Sequence, residues 1–177
     1  MNDVREYGRS LFLLSEEEGI TDSVSGDVAI AEQIFSLNPD YARIIDTPAL
    51  TKEERVNLID EAFSGLNVYL VNMIKILAEK HLAFSVPKAL RGFSEAYDKS
   101  RGIERVEAIT ALPLTNSQTE ALRKKLESET GKTIIISNTI DTAILGGMKL
   151  RYCGKQLDGS LKTRLLSLEE SLKQTLI

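Results

Sequence analysis

Ile144-Leu145-Gly146-Gly147-Met148-Lys149-Leu150-Arg151-Tyr152-Cys153, followed shortly by Leu157-Asp158-Gly159-Ser160, is the stretch on which the reading of this chain turns. Met148, Leu150 and Tyr152 alternate with Lys149 and Arg151, the pattern of a strand buried on one face. Leu157-Asp158-Gly159-Ser160 is expected to open a helix that carries Leu161, Leu165, Leu168, Leu172 and Leu176 on one side, with Asp158 and Ser160 capping free amides at its start. A phosphate cradle needs glycines after a strand and at the head of a helix. Here Gly146 and Gly147 enter a strand instead, and no Gly-Lys-Ser/Thr follows. The pair therefore reads as a bend, and the whole stretch as a small sheet capped by a helix, built for packing.

Working outward, the 177 residues suffice for one domain or two small ones, and an apolar content of 42% suits a globular core. No tryptophan, 6% aromatics and long runs of Leu, Ile, Ala, Glu and Lys lean towards helix. The net charge of −4 is unevenly spread: residues 1–101 hold 11 Lys and Arg against 17 Asp and Glu, residues 102–177 hold 11 against 9. An acidic first part repels phosphate backbones and suits a basic or amphipathic partner, so no nucleic acid is expected. One cysteine, Cys153, and one histidine, His81, leave little for a disulfide or a soft-metal site, and neither a cofactor nor a metal is expected. No apolar run approaches the length of a membrane span, and the first residues are unlike a secretion signal. The expectation is a cytoplasmic protein that meets a membrane only through a partner.

Residues 1–101 read as six short helices. Asp3 with Glu6 resembles a capping box, Val4, Tyr7, Leu11 and Leu14 make one stripe, and Gly19 offers a stop. A second helix buries Val24, Val28, Ala31 and Phe35 and ends before Pro39. A short turn passes through Tyr41 and Ile45. Thr51 with Glu54 caps a fourth helix that buries Val56, Ile59 and Phe63 up to Gly65. The fifth, from about Asn67 to Lys80, carries two stripes, Leu70, Ile74 and Leu77, with Tyr69, Met73 and Ile76 beside them. It is apolar over more of its circumference than a surface helix needs, so it is either central or waiting for a partner. The sixth runs from Ser85 through Leu90, Phe93 and Tyr97 and stops before Gly102.

At Gly102 the texture changes. Ile103 to Leu112 is a strand, Thr115 with Gln118 caps a helix presenting Leu122 and Leu126, and Thr133 to Ile136 and Met148 to Cys153 are further strands. The expected fold is thus an N-terminal all-α six-helix bundle, residues 1–101, followed by a small α/β domain, residues 102–177, with a three-stranded sheet and two helices. Catalysis finds no foothold: Ser160 has no base nearby in sequence, His81 reads as an exposed helix terminator, and the Glu16-Glu17-Glu18 and Glu53-Glu54 runs fan out around their helices. The candidate functional surface is the fifth helix with the first, with a centrally buried hairpin as the competing account.

Tyr7, the Thr110-Ala111-Leu112-Pro113-Leu114-Thr115 junction, Leu145-Gly146-Gly147, and Leu157-Asp158-Gly159-Ser160 with Arg164-Leu165 together make the chain resemble, over nearly its whole length, the delta subunits of bacterial proton-translocating ATP synthases, relatives of the mitochondrial oligomycin sensitivity-conferring protein. The resemblance implies a non-catalytic stator subunit, with no active site, monomeric within a hetero-oligomeric complex on the cytoplasmic face of the cell inner membrane and not itself inserted there. It implies that the bundle holds the N-terminal helix of an alpha subunit between its first and fifth helices, making Tyr7, Leu11, Leu14, Met73, Ile76 and Lys80 groove candidates. It implies that the second domain engages the end of the b-subunit stalk, with Gly146, Gly147, Asp158, Gly159 and Ser160 as structural residues. A free-standing adaptor for another amphipathic helix is the alternative.

Overall fold

The computed structural model describes residues 3–144, 146–152 and 155–158, the last segment without the side chain of Lys155. The chain divides into two compact units at the Ser100–Arg101 junction.

The first unit is helical: α1 Arg5–Glu17, α2 Thr21–Leu37, α3 Tyr41–Ile45, α4 Lys52–Ala62, α5 Val68–Glu79 and, after a 3-10 turn at Ala83–Ser85, α6 Val86–Ser100. Local chemistry sets most of these ends. Thr51 and Glu54 form a reciprocal capping box, Thr51 Oγ1 accepting from Glu54 N at 3.2 Å and Glu54 Oε2 from Thr51 N at 2.9 Å. The Thr51 amide, and after it the Thr51 hydroxyl, donate to the exposed Glu54 carboxylate and hold it below its usual range. At α1 the expected box does not form: Asp3 Oδ1 accepts from Arg5 N at 3.2 Å, and Glu6 pairs with Arg9. The Asp3 carboxylate also pairs with Lys88 of α6 at 3.2 Å, and the Glu6 amide donates to the Asp3 backbone carbonyl at 2.9 Å instead.

Val24, Val28, Ala31 and Phe35 of α2 are buried with Ile59, Phe63, Leu70, Ile74, Leu77, Leu90 and Phe93 in one apolar core. Phe35, Tyr41 and Phe63 meet there as an aromatic triangle, centroids 5.7 to 5.9 Å apart. Arg55 is buried as well; its Nε donates to Ile45 O at 2.8 Å, so a fixed cation closes the carbonyl end of α3.

The closest helix contact is α1 on α6. A Cβ added at Gly8 would stand 1.8 Å from Ala89 O, and one at Gly92 would stand 2.4 Å from Arg5 O. Both atoms are backbone, so neither can swing aside, and glycine is the residue that lets the two helix surfaces touch here.

The second unit holds β1 Ile103–Thr110, α7 Asn116–Thr130, β2 Thr133–Ile140, β3 Met148–Tyr152 and β4 Lys155–Asp158. Its sheet has the order β2-β1-β3-β4, with β1 parallel to β2 and the other pairs antiparallel. Three strands were expected and four are present among the described residues. β3 and β4 lie only two residues apart in the sequence. The chain accordingly pairs back on itself, Tyr152 opposite Lys155 and Lys149 opposite Asp158. Asp158, expected at a helix start, therefore ends a strand, its carboxylate 3.4 Å from Lys149 Nζ. Gly159, Ser160 and the leucine-striped helix lie outside the described residues. β2 also runs on past Ile136 to Ile140, in register with β1 to its end. Asn138 secures that end: its Nδ2 donates to Ala108 O and Thr110 Oγ1, each at 2.8 Å, while its Oδ1 accepts from Leu114 N at 2.9 Å. The Thr110–Thr115 junction is thereby clamped at the head of α7, where Thr115 and Gln118 form a second capping box.

Gly8→Ala or Gly92→Ala is expected to lower the free energy of unfolding by more than about 2 kcal/mol, since the helices must part to admit a methyl group. Gly26→Ala, in an α2 site with open space around it, should raise it by about 0.5–1 kcal/mol; urea denaturation of the three variants checks both signs. Burial, and secondarily the Glu61 carboxylate, push the Tyr41 hydroxyl up from 10.0 to about 12. The folded chain then keeps a proton that the unfolded chain releases near pH 10, so this stabilisation is complete below pH 10 and is lost as pH rises towards 12. Urea midpoints should fall across that window, and fall less in Tyr41→Phe.

Candidate functional site

Tyr7, Ser10, Leu11 and Leu14 recur at helical spacing along one face of α1, and Tyr69, Asn72, Met73 and Ile76 along one face of α5. The two faces meet as the walls of an open cleft of about 240 Å³. The helices run in opposite senses here, because Lys80, just past the end of α5, donates from Nζ to the hydroxyl of Tyr7, near the start of α1, at 2.7 Å. The same ammonium lies 5.2 Å from the centroid of the Tyr7 ring.

Each expected groove residue has a definite place. Tyr7 and Leu14 are half-buried on the α1 wall, and Ile76 stands 46% exposed on the α5 wall. Lys80 does not line the cleft but closes one end of it through Tyr7. Leu11 and Met73 are 4% and 6% exposed. Expected among the groove residues, with central burial as the competing account, they are part of the core, because α1 and α5 approach closely enough for both side chains to fill the seam and form the cleft floor. Ser10 and Asn72 belong to the walls too and went unread, although each sits three residues beyond a tyrosine of its own stripe. A polar residue on an apolar stripe at that spacing is the signal that would have found them. Ser10 Oγ is turned to Glu6 O at 2.8 Å.

His81 fixes where α5 stops. Its φ is +54°, His81 N donates to Ala78 O at 3.0 Å, and Leu82 N donates to Leu77 O at 2.9 Å. This is the left-handed closing turn usually given to glycine. It sets Lys80 at the mouth of the cleft and returns Leu82 to the core.

In the second unit, Gly146 and Gly147 have φ of 153° and 80° and form the bend that enters β3. Asp158 is in β4, and Gly159 and Ser160 are not among the described residues. A larger cleft, about 460 Å³, opens in the first unit between the end of α2, Pro39, α3 and Ala62. Among the described residues no three His, Cys, Asp or Glu side chains gather as a metal site, and no helix is long and apolar enough to cross a membrane. The chemistry that the α1–α5 cleft offers is apolar surface with a cation at one end.

The model of the family described as ATP synthase delta (OSCP) subunit matches residues 4–172. The ATP synthase subunit delta of Azorhizobium caulinodans is 30% identical over 170 residues, covering 95% of this chain and 91% of its own. That of Allorhizobium ampelinum is 33% identical, covering 95% and 88%. That of Clostridioides difficile is 28% identical, covering 96% and 95%. A chain of the Toxoplasma gondii mitochondrial ATP synthase hexamer superposes with a TM-score of 0.80 at 16% identity, over 97% of this chain and 98% of that one, a likeness of fold.

His81→Gly is expected to raise the free energy of unfolding by about 0.5–1 kcal/mol, because the left-handed turn strains a residue with a Cβ and costs glycine little. Thermal melts of the two proteins check this, and a lower melting temperature for the variant would contradict it.

Proposed function

The chain belongs to the ATP synthase delta (OSCP) subunit family, and from that membership we propose that it works as a non-catalytic stator subunit of a proton-translocating ATP synthase, its first unit on the catalytic head and its second on the peripheral stalk. The occupant of the α1–α5 cleft is then the N-terminal helix of an alpha subunit, and the partner of the second unit is the C-terminal end of the b subunit. The protein sits on the cytoplasmic face of the inner membrane and is held there by its partners. The observation that carries this reading is the cleft itself, a seam between two helices with Leu11 and Met73 buried at its floor and Ile76 exposed on its wall.

The task is mechanical. A rotary motor turns a central shaft against its catalytic head, and a head free to turn with the shaft stores no torque. A subunit that ties head to stalk needs two binding surfaces and no reacting group. A helix laid in a groove gains affinity from apolar anchors at i, i+3, i+4 and i+7. Three such anchors contribute roughly 5–8 kcal/mol before the cost of ordering and association is subtracted, so these anchors alone leave a single groove contact weaker than about micromolar. Firm attachment of the head then comes from joining this contact to the others made by the same subunit.

Titration of the full-length chain with a peptide from the N-terminus of the same organism's alpha subunit should give one-to-one binding. Ile76→Asp should weaken it by at least about thirtyfold with an unchanged circular dichroism spectrum, because Ile76 is exposed. Undiminished binding by that variant would overturn the groove assignment.

A further inference from the structure

The face that α1 gives to the cleft does not end at Leu14. Helical spacing carries the stripe of Tyr7, Ser10, Leu11 and Leu14 on to Glu17 and Glu18, three and four residues further. On α5 the stripe of Tyr69, Asn72, Met73 and Ile76 runs on to Lys80. Because the two helices are antiparallel, these extensions fall at opposite ends of the seam, a cation at one and two carboxylates at the other. From Tyr7 to Glu18 the axial rise is about 16 Å, three helical turns.

Neither end is neutralised among the described residues. Glu16, Glu17 and Glu18 are exposed and make no ion pair among the described residues. The last turn of α1 contains no basic residue, so these carboxylates lie against the negative end of their own helix, an arrangement that disfavours the isolated chain. Lys80 is exposed and is met by the Tyr7 hydroxyl and ring, which orient the ammonium without cancelling its charge and leave two of its three N–H groups to spare. The neighbouring Glu79 is engaged elsewhere, 3.0 Å from Lys52 Nζ.

We infer that the α1–α5 cleft selects a helix of split charge, one with a carboxylate near the end that meets Lys80 and Tyr7 and a basic side chain about three turns away, over Glu17 and Glu18. This rests on the cleft being a helix-binding groove, as proposed above, and adds what distinguishes one apolar-striped helix from another. A uniformly acidic helix meets repulsion at Glu17 and Glu18. A uniformly basic one meets it at Lys80. The apolar floor supplies attraction to all of them, and the charged ends sort them by repulsion.

Four synthetic helical peptides with one shared apolar stripe test this by titration against the full-length chain at low salt: one with Glu at its first end and Lys at its last, one with the reverse order, one all-acidic and one all-basic. The better of the two split-charge peptides should bind about tenfold more tightly than either single-sign peptide, and the difference should shrink as salt is added. Lys80→Met should weaken that peptide about threefold, and have no effect once the peptide's Glu is changed to Gln. Glu17→Gln with Glu18→Gln should do the same against the peptide's Lys. Circular dichroism of each variant checks that the fold is retained. Equal affinity for all four peptides, with all of them lost in Ile76→Asp, would overturn the charge selection and leave the groove in place. No binding by any peptide would overturn the groove and the selection together.

Discussion

Two missing side chains set the architecture of the first unit. At Gly8 and Gly92 the backbones of α1 and α6 come so close that a single methyl group on either would overlap a carbonyl of the other helix. Helices that pack through ordinary side chains stand farther apart. The close approach seats α1 deep enough for Leu11 and Phe12 to join the core on one side and for Tyr7 and Leu14 to wall the cleft on the other. A shallower α1 would lift Tyr7 and Leu14 away from α5, so the geometry of the cleft is decided on the adjoining face of α1, the one packed on α6.

The cleft and the core therefore share residues. Leu11 and Met73 serve both, and a polar substitution at either would disturb folding and binding together. Ile76 belongs to the wall alone, which separates its effect on recognition from any effect on stability. Lys80 is placed by a different device, the left-handed turn at His81, which ends α5 within reach of Tyr7. The cleft thus combines a floor that the fold needs in any case with a rim that it does not.

Much of this was legible in the sequence. The buried stripe of α2, the capping boxes at Thr51 and Thr115, the stop before Pro39 and the change of texture near Gly102 follow from spacing and local hydrogen bonding, which a linear pattern records. The Asp3–Glu6 box did not form because the Glu6 amide goes to the Asp3 backbone carbonyl and the Glu6 side chain to Arg9, while the Asp3 carboxylate takes the Arg5 amide and the distant Lys88. The fourth strand escaped because Leu157-Asp158-Gly159-Ser160 carries a capping pattern that masked the two-residue spacing at Cys153-Gly154. Arg55 was unreadable for a related reason: a cation in a helix suggests solvent, and only the fold brings the Ile45 carbonyl to it. For the cleft, both stripes could be seen in the sequence, but not how far Leu11 and Met73 would sink between them. That depth comes from Gly8 and Gly92, whose partners lie more than eighty residues away in the chain.

The pairing of α1 with α6 joins the first helix of the unit to its last, and this bears on how the protein is made. At the pace of a ribosome, roughly ten seconds separate the synthesis of Glu17 from that of Ser100. Throughout that interval Leu11 and Phe12 have no α6 to cover them, and the seam with α5 has no fixed depth. The nascent chain is then an open set of amphipathic helices, sticky to chaperones and to each other, and the α1–α5 cleft takes shape only once translation has passed the end of the unit.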